Sequence, residues 1–288
     1  IAASDAQLVD NASSAMADAT HARHCEQTRV SPSCTIGAGS DCHKGIVAAD
    51  RQASAAVACA GEFYQLDAIA GQIDATDNAH PENARAAKLL ALAQSVSPAD
   101  IAHLNGTFAA AIVQADTVHL LLDPMGGLHD LYYAILDTGI VFASTVQQIL
   151  ASGLVQPAPD ETVVSRFFVH GHSLPPSTFF AGIRKVQPAT IVTCQAGRTR
   201  THPVPALRFE TSEGTEKEHI ARLRQALRAA MKRCTDSMNG VGAFLSGGLD
   251  SSVNAALATE LLDSGLMTFS IAYPEAQFDE SEYSRAVA

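Results

Sequence analysis

Ser246 to Ser252, read as Ser-Gly-Gly-Leu-Asp-Ser-Ser, gather two glycines, three hydroxyls and one carboxylate into seven consecutive residues. The chemistry this suits is the holding of a polyphosphate. Gly247 and Gly248 let the backbone pass close to a ligand, and the free N–H groups and dipole of a following helix favour an anion by roughly 0.3–1 kcal/mol. Ser246, Ser251 and Ser252 add hydroxyl donors, and Asp250 offers a hard oxygen for Mg²⁺ directly or through water. A triphosphate carrying its magnesium satisfies all of these groups together.

The elements that must position the segment are a strand before it and a helix after it. Gly242 to Leu245 is a short apolar run that predicts a buried strand, and Val253 to Leu262 is rich in helix formers with apolar residues at helical spacing. Neither of the commoner glycine-loop chemistries fits. A Walker A loop needs a Lys after its last glycine, and a nucleophile elbow needs glycine two residues before its serine, where this chain has Phe244. The plain alternative is a tight turn into a capped helix, which needs far fewer of these residues.

The segment resembles the SGGxDS loop of the ATP pyrophosphatases, which cleave ATP between its α and β phosphates and adenylate a carboxylate or carbonyl oxygen. Upstream, Leu104 to Ile112 (LNGTFAAAI), Asp123 to Leu128 (DPMGGL) and Leu131 to Tyr133 (LYY) are similar to a run in the asparagine synthetase superfamily. Val141 to Val146, Phe180 to Pro188, Thr268 to Ile271 and Phe278 to Tyr283 continue the likeness in the same order. It covers about Leu104 to Ala288. The resemblance implies a four-layer Ntn-hydrolase-like sandwich of the type 2 glutamine amidotransferases over residues 1–209. It implies the start of a parallel α/β PP-loop ATP pyrophosphatase domain over residues 210–288. It also implies that Leu245, Ser246, Gly247, Gly248, Asp250, Ser251, Ser252 and Ile271 bind ATP and pyrophosphate, the adenine lying on backbone groups of Leu245 and Ile271. Cofactors would be ATP and Mg²⁺, the metal held through Asp250. The substrates would be aspartate or another carboxylate and an amine donor, in an amide-forming ligase. A ring-forming β-lactam or lasso-peptide synthetase and a noncatalytic paralogue stay open as alternatives.

The amidotransferase half departs from the family pattern. Ile1-Ala2-Ala3 resembles the residues that would follow the family's Met-Cys-Gly, so the nucleophilic cysteine is missing and no catalytic residue is identified there. The family's oxyanion-hole segment Asn-Gly-Glu-Ile-Tyr reads here as Ala60-Gly61-Glu62-Phe63-Tyr64, leaving Gly61 and Glu62 as a glutamine-site remnant. The family's glutamine-gripping Arg falls near Lys44 to Val47 with no Arg aligned, and its Asp-Thr-Glu falls near Pro81 to Asn83. A clipped start and a relic glutaminase both explain the absent cysteine, and the further substitutions favour the relic, since losing a bidentate Arg removes charge and geometry together. Against the family pattern the chain also reads as a fragment of a longer protein.

Composition sets wide bounds. With 288 residues, 47% hydrophobic and 17% charged, the chain supports about two globular domains. A net charge of −11 argues against nonspecific nucleic-acid binding, and no apolar stretch approaches the roughly 20 residues of a membrane helix. A cytoplasmic protein is expected, and a homodimer is compatible with all of this. His21, His24, Cys25, Cys34, Cys42 and His43 invite a zinc reading, but their spacings match no usual set, and reduced thiols are expected.

The first domain is expected to mix helices at Leu66–Ile73 and Ala84–Gln94 with strands at Phe108–Val113, Val118–Leu122, Tyr132–Leu136 and Ile140–Ala143. Pro-containing loops are expected at Gly153–Glu161 and Pro203–Glu213. From Glu216 onward, Ile220, Leu223, Leu227, Met231 and Cys234 form a stripe expected to pack into a core.

Overall fold

The computed structural model describes residues 25–31, 34–39, 46–49, 55–64, 90–91, 97, 105–137, 139–204, 209–235, 240–262, 265–275, 277 and 279–288, the first three stretches as backbone alone. The chain divides into two compact units, Ile1–Arg208 and Phe209–Ala288. Both are mixed α/β.

In the first unit β1 (Cys25–Ser31) and β2 (Cys34–Gly39) form an antiparallel pair. A six-stranded antiparallel sheet follows, in the order β11 (Arg198–Pro203), β10 (Thr190–Gln195), β6 (Thr117–Leu122), β5 (Gly106–Gln114), β4 (Ala55–Phe63) and β3 (Ile46–Ala49). A three-stranded sheet has β7 (Tyr132–Leu136) between β8 (Gly139–Ala143) and β9 (Ile183–Lys185). Two-residue turns close the hairpins. Ala115 (φ 49°) and Asp116 join β5 to β6, and Ala196 (φ 50°) with Gly197 (φ 71°) join β10 to β11.

Register explains the core. Ala111 pairs with Leu120, Val113 with Val118, and Cys194 lies opposite Val118, so these side chains share one face of the larger sheet. They cluster with Tyr133, Ile140 and Phe142 of the smaller sheet, so the two sheets pack face to face. The smaller sheet's other face, with Ala134, Val141, Ala143 and Ile183, is covered by α1 (Val146–Ala151) through Ile149. Thr145 starts that helix with a capping box, Thr145 Oγ1 accepting from the Gln148 N–H and the Thr145 N–H donating to Gln148 Oε1. Asp160 caps α2 (Glu161–His170) by accepting from the Thr162 and Val163 amides, and Gly171 (φ 73°) ends it.

The second unit is a βαβ element. β12 (Gly242–Phe244) and β13 (Met267–Phe269) run parallel, with α4 (Leu249–Leu261) as the crossover. α3 (Glu216–Thr235) precedes it, its start held by Thr215 donating through N–H and Oγ1 to Glu218 Oε2. α5 (Ser281–Val287) closes the unit.

The observed strands β5 to β8 contain the four expected ones: β7 has the expected bounds, β6 and β8 extend theirs by one residue and β5 by three. The expected helix at Leu66–Ile73 lies outside the described residues, as does Ala84–Gln94 apart from residues 90–91, which are helical. Two expectations for the second unit are corrected. Phe244 in β12 is 78% exposed, and burial there belongs to Leu245, at 1%. The α3 stripe is not a buried core either, because Ile220 and Leu223 are exposed and Leu227, Met231 and Cys234 are half-buried. Amphipathic spacing fixes which residues share a face, and cannot say how deeply the face is covered.

Candidate functional site

The segment Ser246–Ser252 spans the junction between β12 and α4. The helix begins at Leu249, four residues before the expected start, so Asp250, Ser251 and Ser252 occupy its first turn and only Ser246 to Gly248 are loop. Gly247 has φ +84°, a conformation L-residues rarely adopt, and a Cβ there would stand 2.5 Å from the Tyr283 carbonyl carbon and 2.6 Å from the Ser284 nitrogen. Gly248 is the N-cap residue and, lacking a side chain, caps nothing. The first-turn amides of α4 are therefore left to whatever enters the loop.

The serines are brought together, but in this structure they bond inward. Ser251 Oγ donates to the Gly248 carbonyl at 3.2 Å and Ser252 Oγ to the same carbonyl at 2.7 Å. Ser246 Oγ lies 3.0 Å from Ser251 Oγ and accepts from the Gly248 N–H at 3.3 Å. With the Ser251 proton committed to Gly248, Ser246 is the donor of that pair. The Ser246 N–H in turn donates to Ser251 Oγ at 3.3 Å. The hydroxyls thus fix the loop's shape, and an anion would be met first by helix backbone. Asp250 is exposed on the first turn of α4.

Beside the loop lies a half-open cleft of about 180 Å³. Leu245, Ser246, Ser270, Ile271, Tyr273 and Glu280 are among its lining residues, with Phe244 and Phe269 adding aromatic surface. Leu245 and Ile271, expected to contact adenine, both line it. The Leu245 N–H is already bonded to the Phe269 carbonyl at 2.8 Å, and the Leu245 carbonyl accepts from Ser270 Oγ at 2.6 Å, so what Leu245 still offers a ligand is one carbonyl lone pair. Next in sequence to Glu280, Asp279 accepts from the Ser281 hydroxyl and amide, and these bonds hold its carboxyl below the usual range.

The remnant in the first unit has different geometry. Gly61 lies on β4 opposite Phe108 with φ +106°, and a Cβ there would stand 2.0 Å from the Thr107 carbonyl oxygen and 2.6 Å from His129 Nε2. Glu62 is half-buried opposite Thr107. Gly106 is equally constrained, its Cβ position lying 2.3 Å from the Glu62 carbonyl oxygen. Asp123, 1% exposed, holds the neighbouring loop by accepting from three backbone amides: Phe108 at 3.2 Å, Met125 at 3.1 Å and Gly126 at 2.8 Å. Asp123 in the DPMGG run is thus a structural carboxylate.

His129, which the sequence reading passed over, is buried against Gly61. A lone histidine between two motif runs carries no periodicity that would have flagged it. Its neighbour Asp130 pairs with Lys185 at 2.6 Å and accepts from the Tyr132 hydroxyl at 2.8 Å. Burial first, then that bond and the Asp130 charge, push Tyr132 up to about 12. Of the segment Lys44 to Val47, near which the glutamine-gripping Arg would fall, Ile46 and Val47 lie on β3, while Lys44, Gly45, Pro81–Asn83 and Ile1 lie outside the described residues. Among the described residues no group of three or more metal-ligating side chains occurs, and Cys194 and Cys234 are free thiols. Burial raises the Cys194 thiol, which disfavours the thiolate. No described helix is long and apolar enough to cross a membrane.

Comparison with known proteins adds independent findings. Residues 34–204 match the family described as glutamine amidotransferase domain, and residues 222–288 match the one described as asparagine synthase. Asparagine synthetase (glutamine-hydrolyzing) 3 of Bacillus subtilis is 29% identical over 180 residues, covering 60% of this chain and 29% of that protein. Amidase chry2 of Gibberella zeae is 26% identical over 234 residues, covering 76% and 34%. The chain spans about a third of the length of these curated relatives. Among solved structures, the allosteric regulatory enzyme of purine biosynthesis is similar at 12% identity, with a TM-score of 0.37 over 81% of this chain and 48% of that one.

Proposed function

Because this chain belongs to the asparagine synthetase-type family, with a glutamine amidotransferase domain ahead of an asparagine synthase segment, we propose that it is part of an ATP-dependent amide-forming ligase. Residues 1–209 would be the amidotransferase-like domain, an Ntn-hydrolase-type sandwich. Residues 210–288 would be the first part of a PP-loop ATP pyrophosphatase domain. The observation that carries the reading is the uncapped start of α4 behind Gly247 and Gly248, opening beside a cleft with apolar walls. A helix start offers amides to phosphate oxygens, and the apolar walls suit a flat base.

In the reaction, a carboxylate oxygen of the substrate attacks the α-phosphorus of ATP and the bond to the β-phosphate oxygen breaks, giving an acyl-adenylate and pyrophosphate. An amine then attacks the acyl carbon, AMP leaves with the bonding electrons, and the amine gives up a proton. The first-turn amides of α4 would hold the departing pyrophosphate, and the Ser246 hydroxyl would join them only by turning its proton away from Ser251, so that charge is stabilised where it develops. Asp250 fits a role in holding Mg²⁺: it is an exposed hard-oxygen donor on the helix turn that would face the phosphates. When bound, Mg²⁺ would offset the charge of the triphosphate.

The donor of the amine would be ammonia or another free amine rather than glutamine. Ala60 stands where an oxyanion-hole Asn side chain would be, and His129 occupies the space beside Gly61. A second reading, an amide former with an acid other than aspartate, is favoured by the amidase-named relative of Gibberella zeae. ATP–pyrophosphate exchange with Mg²⁺ on the full-length protein separates them. Aspartate-dependent exchange lost in Asp250→Ala, with asparagine formed from ammonia and not glutamine, supports the first reading. Exchange that ignores aspartate moves the assignment to the second.

A further inference from the structure

We propose that Ser270 is a positioning residue for nucleobase choice: its hydroxyl aims the Leu245 carbonyl at the amino group of a 6-aminopurine and so sets adenine above 6-oxopurines. The inference rests on the nucleotide reading of Ser246–Ser252. Two bonds join the ends of β12 and β13, the Leu245 N–H to the Phe269 carbonyl at 2.8 Å and Ser270 Oγ to the Leu245 carbonyl at 2.6 Å. A carbonyl has two in-plane lone pairs, and with one held by Ser270 the other has a fixed direction.

The same bond determines what Ser270 can offer. A serine hydroxyl has one proton, and here it is spent on Leu245, so Oγ meets a ligand with lone pairs alone. Glu280, the charged residue among those lining the cleft, is an acceptor as well. The corner where β12 and β13 end therefore accepts hydrogen bonds, while Ile271 and the rings of Phe244, Phe269 and Tyr273 make the rest apolar. A 6-amino group donates into such a corner. A 6-oxo group places its own lone pairs against those of Leu245, and buried acceptors left without donors are what rejects an analogue.

ATP and ITP differ on the base at this edge, which makes them the probes. Their dissociation constants are measured by calorimetry at fixed Mg²⁺ on the full-length protein, its Ser270→Ala variant and its Ser270→Thr variant. The unmodified protein is expected to favour ATP by about 10-fold or more. Ser270→Ala should weaken ATP by about 10-fold with little effect on ITP, collapsing the ratio, and Ser270→Thr should restore it by keeping the hydroxyl. Equal loss for both nucleotides in the alanine variant would mean a merely structural serine and overturn the proposal. Equal binding of ATP and ITP by the unmodified protein overturns it too, whether or not the alanine variant folds. Binding of neither nucleotide removes the nucleotide reading itself, a result distinct from an altered ratio.

Discussion

Gly61 and Gly247 are alike in backbone and opposite in surroundings. Gly61 lies within β4, two residues before its end, and Gly247 three residues beyond β12; both have positive φ, +106° and +84°, and each is pressed by atoms a Cβ would strike. Around Gly61 the protein fills its own space, with the Thr107 carbonyl and a buried His129 against the glycine. Around Gly247 the nearest atoms belong to α5, and the loop leads on to an uncapped helix start beside a cleft. A left-handed glycine marks close approach, and what approaches separates a packed strand end from a ligand loop.

Exchanging each glycine for alanine is the strongest way to break the comparison. At Gly61 the added carbon meets a main-chain carbonyl between paired strands, which cannot swing aside. Overpacking and left-handed strain together should destabilise the first unit by about 4 kcal/mol. Chemical denaturation of Gly61→Ala checks this, and a loss below that of Gly247→Ala would refute the idea that the remnant is the more tightly filled place.

Asp123→Ala probes the loop that follows β6 beside this strand end. Three backbone amides lose their acceptor, one of them on β5, and the expected loss is about 3 kcal/mol. Asp123→Asn keeps one carbonyl oxygen and should recover part of it. If both variants melt as the unmodified protein does, the loop is not what keeps the remnant filled.

Gly247→Ala should be milder in stability and sharper in binding. Its obstacle is a seven-residue helix whose Tyr283 is 65% exposed, so α5 can shift, at about 1–2 kcal/mol. The shift would displace the loop from the geometry its amides need, and ATP binding should weaken by at least about 10-fold. Calorimetry on the variant decides it, because unchanged affinity would remove the loop from the ligand's path.

These differences explain what the sequence could show. Strands β5 to β8 were readable because short apolar runs stand between turn residues, and the Ser246–Ser252 segment because its residue types are rarely needed together. The inward bonding of Ser251 and Ser252, the helix start at Leu249 and the exposure of Phe244 were not readable. Each depends on which neighbour is present, and a string of residues does not contain that. His129 was invisible for the same reason: its meaning lies in Gly61, 68 positions earlier in the chain.

The smallest expected effect is a pH window that differs between the two regions. His119 on β6 is half-buried, its Nδ1 3.0 Å from Thr193 Oγ1 on β10; it is in register with Ile112 of β5 and, across Thr193, with Arg200 of β11, while His202 lies two residues further along β11. Burial, and then the His202 charge, lower its pKa below the ordinary 6.5. The unfolded chain therefore binds this proton more readily, so the first unit loses stability as pH falls below 6.5, until His119 is charged in both states. In the second unit the lowered groups are two carboxylates, Glu218 and Asp279; the contribution of Glu218 is present above pH 4.5 and that of Asp279 above pH 3.8, each fading only as pH falls through its folded value. Mild acid should thus weaken the first unit while leaving the second unchanged by these groups. His119→Gln, which keeps a hydrogen-bonding side chain without the titration, should flatten the stability profile just below pH 6.5. A slope that survives the substitution would place the sensitivity elsewhere in the sheet, with His202 the next residue to replace.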